Sequence, residues 1–126
     1  MGIRDSSQRP HHRLEVWQDA MNLVVETYRL CTRFPESERF ALAQQMRRAA
    51  VSVPSNIAEG AARRSTQEYL RFLSIARGSL SELDTQVSIA ERLGYSINET
   101  NIVTLLDRVF AKLNGLIKSL TTKGGT

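Results

Sequence analysis

Apolar side chains recur at alternating steps of three and four through most of this chain, and that spacing commits it to helices. Leu14, Trp17, Met21, Val24, Tyr28 and Cys31 form one row, and Phe40, Ala43, Met46, Ala50, Val53 and Ile57 a second. Tyr69, Leu73, Ala76, Leu80, Leu83, Val87 and Ala90 form a third, and Ile102, Leu106, Val109, Leu113, Leu116 and Leu120 a fourth. A helix turns once in 3.6 residues, so each row is a stripe along one face that must be buried against a neighbour. The two-residue alternation of a half-buried strand is missing. The chain reads as all-α.

Local signals divide the helices. Phe34-Pro35 separates the first two, because proline restricts the residue before it and suits a helix's first turn. Gly60 and the charged turn Arg63-Arg64-Ser65 separate the second and third, with Ser65 and Glu68 spaced as a capping box. Leu93-Gly94 ends the third helix with glycine just past the last turn. Asn98 suits the N-cap of the fourth. Short connections between long helices predict an antiparallel up-down-up-down four-helix bundle over residues 14–120. Residues 1–13 are expected to be a disordered polar tail and 121–126 a frayed one.

Two features of the second and third helices carry further expectations. Pro54 lies inside the small-residue run RRAAVSVPSNIAEGAARR, where an interior proline predicts a kink in the second helix. Gly78, in the third helix, is expected to mark a close approach to that small-residue face. Val103, Phe110 and Ile117 widen the apolar face of the fourth helix, and Leu23, Val25 and Leu30 lie off the main stripe of the first. Such extra apolar surface is covered either within a small bundle or by neighbouring subunits.

Catalytic chemistry has few candidates. The two histidines, His11 and His12, fall in the polar tail, and Cys31 lies on a core stripe. Inward Glu-x-x-His pairs, zinc-ligand spacing and a glycine-rich phosphate loop are all missing from the sequence. The chain reads as a protein that is not an enzyme, without cofactor or metal. No apolar run approaches the ~20 residues of a membrane span. The stretch MGIRDSSQRPHHR has no apolar segment for a secretory signal, so a cytoplasmic location is expected.

Binding chemistry is better represented. The net charge is +4, and between positions 40 and 80 there are six arginines and no lysine: Arg47, Arg48, Arg63, Arg64, Arg71 and Arg77. A guanidinium grips phosphate or carboxylate in two-point contacts. Aromatic residues are few and mostly on core stripes, so recognition of structured RNA or DNA is expected through backbone charge and shape, not through a stacking platform. The alternative is a protein-interaction scaffold in which these arginines pair across subunits with carboxylates such as Glu59, Glu68, Glu82 and Asp84.

Taken together, LEVWQDAMNLVVETYRL and FPESERFALAQQMRRAAVSVPSNIAEGAARRSTQEYLRFLSIARGSLSELDTQVSIAERLG resemble the bacterial four-helix-bundle proteins named after intervening sequences in large-subunit (23S) ribosomal RNA genes. The resemblance spans roughly residues 14–120. It implies an antiparallel bundle, assembly as a homopentamer, and kinship with the accessory bundle of diversity-generating retroelements. Through that kinship it implies nucleic acid and a protein such as a reverse transcriptase as partners. It brings no agreed biochemical activity, and a ribosomal role does not follow from the family name.

Overall fold

The computed structural model describes residues 9–124, and four helices account for most of them. Helix α1 spans Glu15–Cys31, α2 Leu42–Ala61, α3 Thr66–Arg92 and α4 Ile102–Gly124; short 3-10 turns occupy Pro10–Arg13, Glu36–Glu38 and Ile97–Glu99. Each helix packs on the next, and α1 closes the ring against α4. Contacts between neighbours fit antiparallel runs. The start of α1, Leu14 to Val16, lies beside Lys112 at the middle of α4 and Leu116 beyond it, and Asp19 meets Lys112. Arg77, in the first half of α3, donates to Asn114 of α4. Tyr95, just beyond α3, donates its hydroxyl at 2.7 Å to Glu38, just ahead of α2. The result is an antiparallel four-helix bundle.

Three of the expected stripes are the core. Ala43, Met46, Ala50, Val53 and Ile57 of α2 are buried, as are Leu73, Ala76, Leu80, Leu83, Val87 and Ala90 of α3 and Ile102, Leu106, Val109 and Leu113 of α4. Phe40 departs from its row: it precedes α2 and is 78% exposed. The wider face of α4 is only partly covered, with Phe110 and Ile117 packed on the core and Val103 exposed.

The first helix is rotated from its expected register. Its buried face is Val16, Ala20, Leu23, Thr27 and Leu30, while Met21 and Tyr28 are 40% and 46% exposed. The buried row was hidden by its polar members. Thr27 satisfies its hydroxyl on the Leu23 carbonyl at 2.7 Å. The carboxylate of Asp19 meets the Lys112 ammonium at 2.6 Å, with Arg108 at 3.9 Å. Once paired in this way, polar groups sit in a core without stranding a charge or donor.

Capping follows ordinary helix chemistry. The Ser65 hydroxyl accepts from the Glu68 amide at 3.1 Å. At the other end of α3, Gly94 takes φ +84, with its amide on the Glu91 carbonyl and the Tyr95 amide on the Ala90 carbonyl, both at 3.0 Å. This is a Schellman closure, which needs a residue tolerant of positive φ. The expected cap Asn98 instead falls inside the Ile97–Glu99 turn, and α4 starts only at Ile102, whose amide lies 3.4 Å from the Thr100 hydroxyl.

Helix α2 runs through Pro54 as one helix, with the ring buried. Proline removes the donor that the Ala50 carbonyl would take. In the same turn, side chains add donors: Ser55 to the Val51 carbonyl at 2.7 Å and Asn56 to the Ser52 carbonyl at 2.8 Å. The bend anticipated at this proline stays an expectation of the sequence.

The close approach of α2 and α3 lies at a different glycine from the one anticipated. Gly78 is exposed, and a Cβ there would meet nothing within 4 Å. At Gly60, in the last turn of α2, a Cβ would lie 2.9 Å from Phe72 Cβ. Nearer mid-helix, the two helices are tied by a 2.7 Å hydrogen bond between the Ser52 and Ser79 hydroxyls.

The polar tail also differs from expectation within its described part. Pro10–Arg13 forms a turn that packs on α1 and α2, and His12 is buried. His11 and His12 gather around Trp17, with ring centroids 4.9 and 5.2 Å from the indole. A helix start with an aromatic ring to cover draws the adjacent chain onto it. The expected disorder of residues 1–8 and fraying of 125–126 lie outside the described residues, and α4 continues through the rest of its expected tail to Gly124.

Candidate nucleic-acid interface

The rotation of α1 sets up the surface next to α2. Trp17, Met21, Val24 and Tyr28 flank the seam, facing Val51, Pro54, Ser55 and Ala58 of α2. Three hollows of about 340, 600 and 360 Å³ lie along it. Tyr28 and Arg47 border the first two and Val51 the last two, so they read as one furrow. Its chemistry changes along its length. Arg39, Arg47 and Arg48 line the part near the start of α2, and apolar side chains line the part near Trp17 and Ala58.

The six arginines do not form one patch. Arg47 and Arg48 sit together on α2 at the basic part of the furrow. Arg63 and Arg64 follow the end of α2, about 24 Å further along its axis at 1.5 Å per residue. Arg71 joins that second group, because Arg63 and Arg71 lie 4.7 and 5.1 Å from the Phe72 ring centroid. Arg77 stands apart, donating to the Asn114 side chain on α4 at 3.3 Å.

Three of these charges, on Arg47, Arg71 and Arg77, are held by neutral groups. Arg47 donates to the Arg39 carbonyl at 3.2 Å, and its guanidinium lies 5.9 Å from the Tyr28 ring. Arg63 reaches Glu59 at 3.3 Å, and among the described residues it is the one member of the six in an ion pair. That pair spans one helix turn and is well exposed, so it holds Arg63 only weakly.

Three contributors were missed in the sequence. Arg39 borders the furrow beside Arg47, with its guanidinium 5.1 Å from the Phe40 ring and 3.4 Å from Glu36. Tyr28 falls on a row that the sequence predicts to be core, yet it is exposed. Gln44 lines the basic part of the furrow and carries no sequence signal. Arg39 could have been found as the third arginine on the approach to α2.

Catalytic groups do not converge here. Cys31 is buried, with its thiol 3.6 Å from the Ala43 carbonyl. Burial pushes that thiol above its ordinary value, while the Arg47 guanidinium pulls it the other way. Among the described residues, no three His, Cys, Asp or Glu side chains are grouped to hold a metal, and no helix is long and apolar enough to cross a membrane.

Comparison with curated proteins gives no significant match. A protein family described as "23S rRNA-intervening sequence protein" matches residues 12–117, which takes in α1, α2, α3 and most of α4. A match of that extent, with which the four-helix bundle agrees, places this chain in the 23S rRNA-intervening sequence protein family.

Proposed function

We propose that this chain is a nucleic-acid-binding bundle without catalytic activity of its own, holding structured RNA or DNA through the Arg47–Arg48 and Arg63–Arg64–Arg71 groups. The observation that carries this reading is how the guanidinium groups are held. A backbone carbonyl and aromatic faces fix one member of each group, Arg47 and Arg71, while leaving its charge without a carboxylate to neutralise it. Fixed, un-neutralised guanidinium groups are suited to phosphate oxygens. The test is fluorescence anisotropy with a labelled RNA hairpin and a DNA duplex over a salt series. Four phosphate contacts on duplex DNA give a log–log slope of about −3.6. Reversing Arg47, Arg48, Arg63 and Arg64 to Glu is expected to abolish binding at unchanged molecular mass. Binding that is flat with salt, or missing at low salt, refutes the reading.

A second reading, self-association as an interaction scaffold, is favoured by the apolar half of the furrow. Met21 and Val51 there are 40% and 41% exposed, beside Trp17, Val24 and Ala58. Apolar surface gathered in one groove is unusual for a face left to water. A second copy of the chain would cover it, and Met21→Glu would then lower the mass measured by light scattering. An unchanged mass refutes this second reading.

A further inference from the structure

The basic half of the furrow has more than charge. Tyr28 presents a ring 46% exposed on the outer face of α1. Arg47 and Arg48 lie across from it on α2, and Gln44, one turn before Arg48, lines the same hollow. The side-chain amide of Gln44 offers both donors and an acceptor. The hollow, about 600 Å³, lies within the range of small-ligand sites. A flat platform, a two-point anion grip and an amide at the edge together match a nucleotide: base, phosphate and base edge.

We propose that this hollow is a subsite for one unpaired nucleotide, with its base on the Tyr28 ring and its phosphate on Arg47 and Arg48. The proposal rests on the nucleic-acid reading above and narrows it to bulges, loops and ends. In a duplex the base faces are buried in the stack, so only a nucleotide outside it reaches the ring. The spacing fits. The Arg47 guanidinium stands 5.9 Å from the Tyr28 centroid, so the anion grip and the ring lie within the reach of a single nucleotide. One N–H of Arg47 is used on the Arg39 carbonyl, which anchors the side chain and leaves the other donors for phosphate.

The test compares two labelled RNA hairpins, identical except for a single unpaired nucleotide in one stem, by anisotropy at fixed salt. The bulged hairpin is expected to bind about tenfold tighter, the gain of one base stacked on an aromatic ring. Tyr28→Leu should remove that preference while leaving affinity for the plain hairpin unchanged, and Tyr28→Phe should retain it. Circular dichroism and molecular mass verify each variant. Equal binding of the two hairpins, or a preference that survives Tyr28→Leu, overturns the subsite while salt-steep hairpin binding still stands. A lower molecular mass for Tyr28→Leu than for the unaltered protein marks the hollow as a protein contact and also overturns it. Failure of both hairpins to bind removes the subsite together with the reading on which it rests.

Discussion

Replacing Gly60 with alanine tests the tightest contact in the bundle, and the outcome has a definite sign. Alanine in place of glycine within a helix gains about 0.5–1 kcal/mol from reduced chain entropy. At Gly60 that gain meets an obstacle: the new Cβ would stand 2.9 Å from Phe72 Cβ, 3.0 Å from Tyr69 Cδ1 and 3.2 Å from the Tyr69 carbonyl oxygen. A Cβ and a carbonyl oxygen cannot rotate away, so the end of α2 must part from the start of α3. Overpacking of this kind costs about 1–3 kcal/mol. Gly78→Ala is the control, since it has the same propensity gain and nothing within 4 Å of the new atom. Propensity cancels between the two variants, so Gly60→Ala should be the less stable by about 1–3 kcal/mol. At about 4 °C per kcal/mol for a domain of this size, the melting temperatures should differ by about 4–12 °C. Thermal and urea unfolding followed at the helical circular dichroism band measure this directly. If the two variants are stabilised equally, the close approach at Gly60 is not what limits that position.

Two further substitutions probe buried chemistry. Lys112→Met should cost about 1–2 kcal/mol in urea unfolding, because it leaves the Asp19 carboxylate, 12% exposed, with only the more distant Arg108. Adding Asp19→Asn should recover at least half of that loss, and a purely additive double variant would count against the pairing. The Cys31 thiol should resist a thiol-reactive disulfide reagent at neutral pH in the folded protein and react fully in urea, since burial raises its pKa. Rapid labelling without denaturant would show that the site opens.

How much was legible differed by helix, for a physical reason. In α2, α3 and α4 the core row is apolar without interruption, so period and burial coincide. In α1 two rows compete. The unbroken row from Leu14 to Cys31 won on composition, while the true core row carries Asp19 and Thr27. Their partners, Lys112 at a separation of 93 residues and the Leu23 carbonyl, make that row buriable. Only the second of these is local. Gly78 misled for a related reason: glycine is a cue for close approach only when the helix turns it toward a neighbour, and α3 turns Gly78 outward. The arginines were legible as residues but not as groups, because their grouping depends on helix rotation and on what lies across the seam.

For Arg47, Arg63 and Arg71, and for Arg39 just ahead of them, the choice of arginine over lysine has a physical basis in contacts with three rings. Tyr28, Phe40 and Phe72 lie outside the core, and each has an arginine guanidinium within 6 Å of its centroid, Arg47, Arg39 and the pair Arg63–Arg71 respectively. An aromatic ring outside the core exposes apolar area to water. A guanidinium laid over it covers that area at little cost, because it is weakly hydrated on its faces and keeps its in-plane donors outward. An ammonium has no plane to lay down and holds its water more tightly. The same arrangement stores a charge in a fixed position with its donor edge turned outward, where Arg47 spends one N–H on the Arg39 carbonyl and Arg39 and Arg63 meet Glu36 and Glu59. Covering a ring and presenting a donor edge are thus one geometry, and lysine satisfies neither half of it. A Tyr28→Phe, Arg47→Lys pair of variants separates the halves: the first keeps the platform, and the second keeps the charge but loses the plane. Nucleic-acid affinity that drops with Arg47→Lys and holds with Tyr28→Phe would tie the arginine-only stretch between positions 40 and 80 to the planar shape of the side chain and not to charge alone.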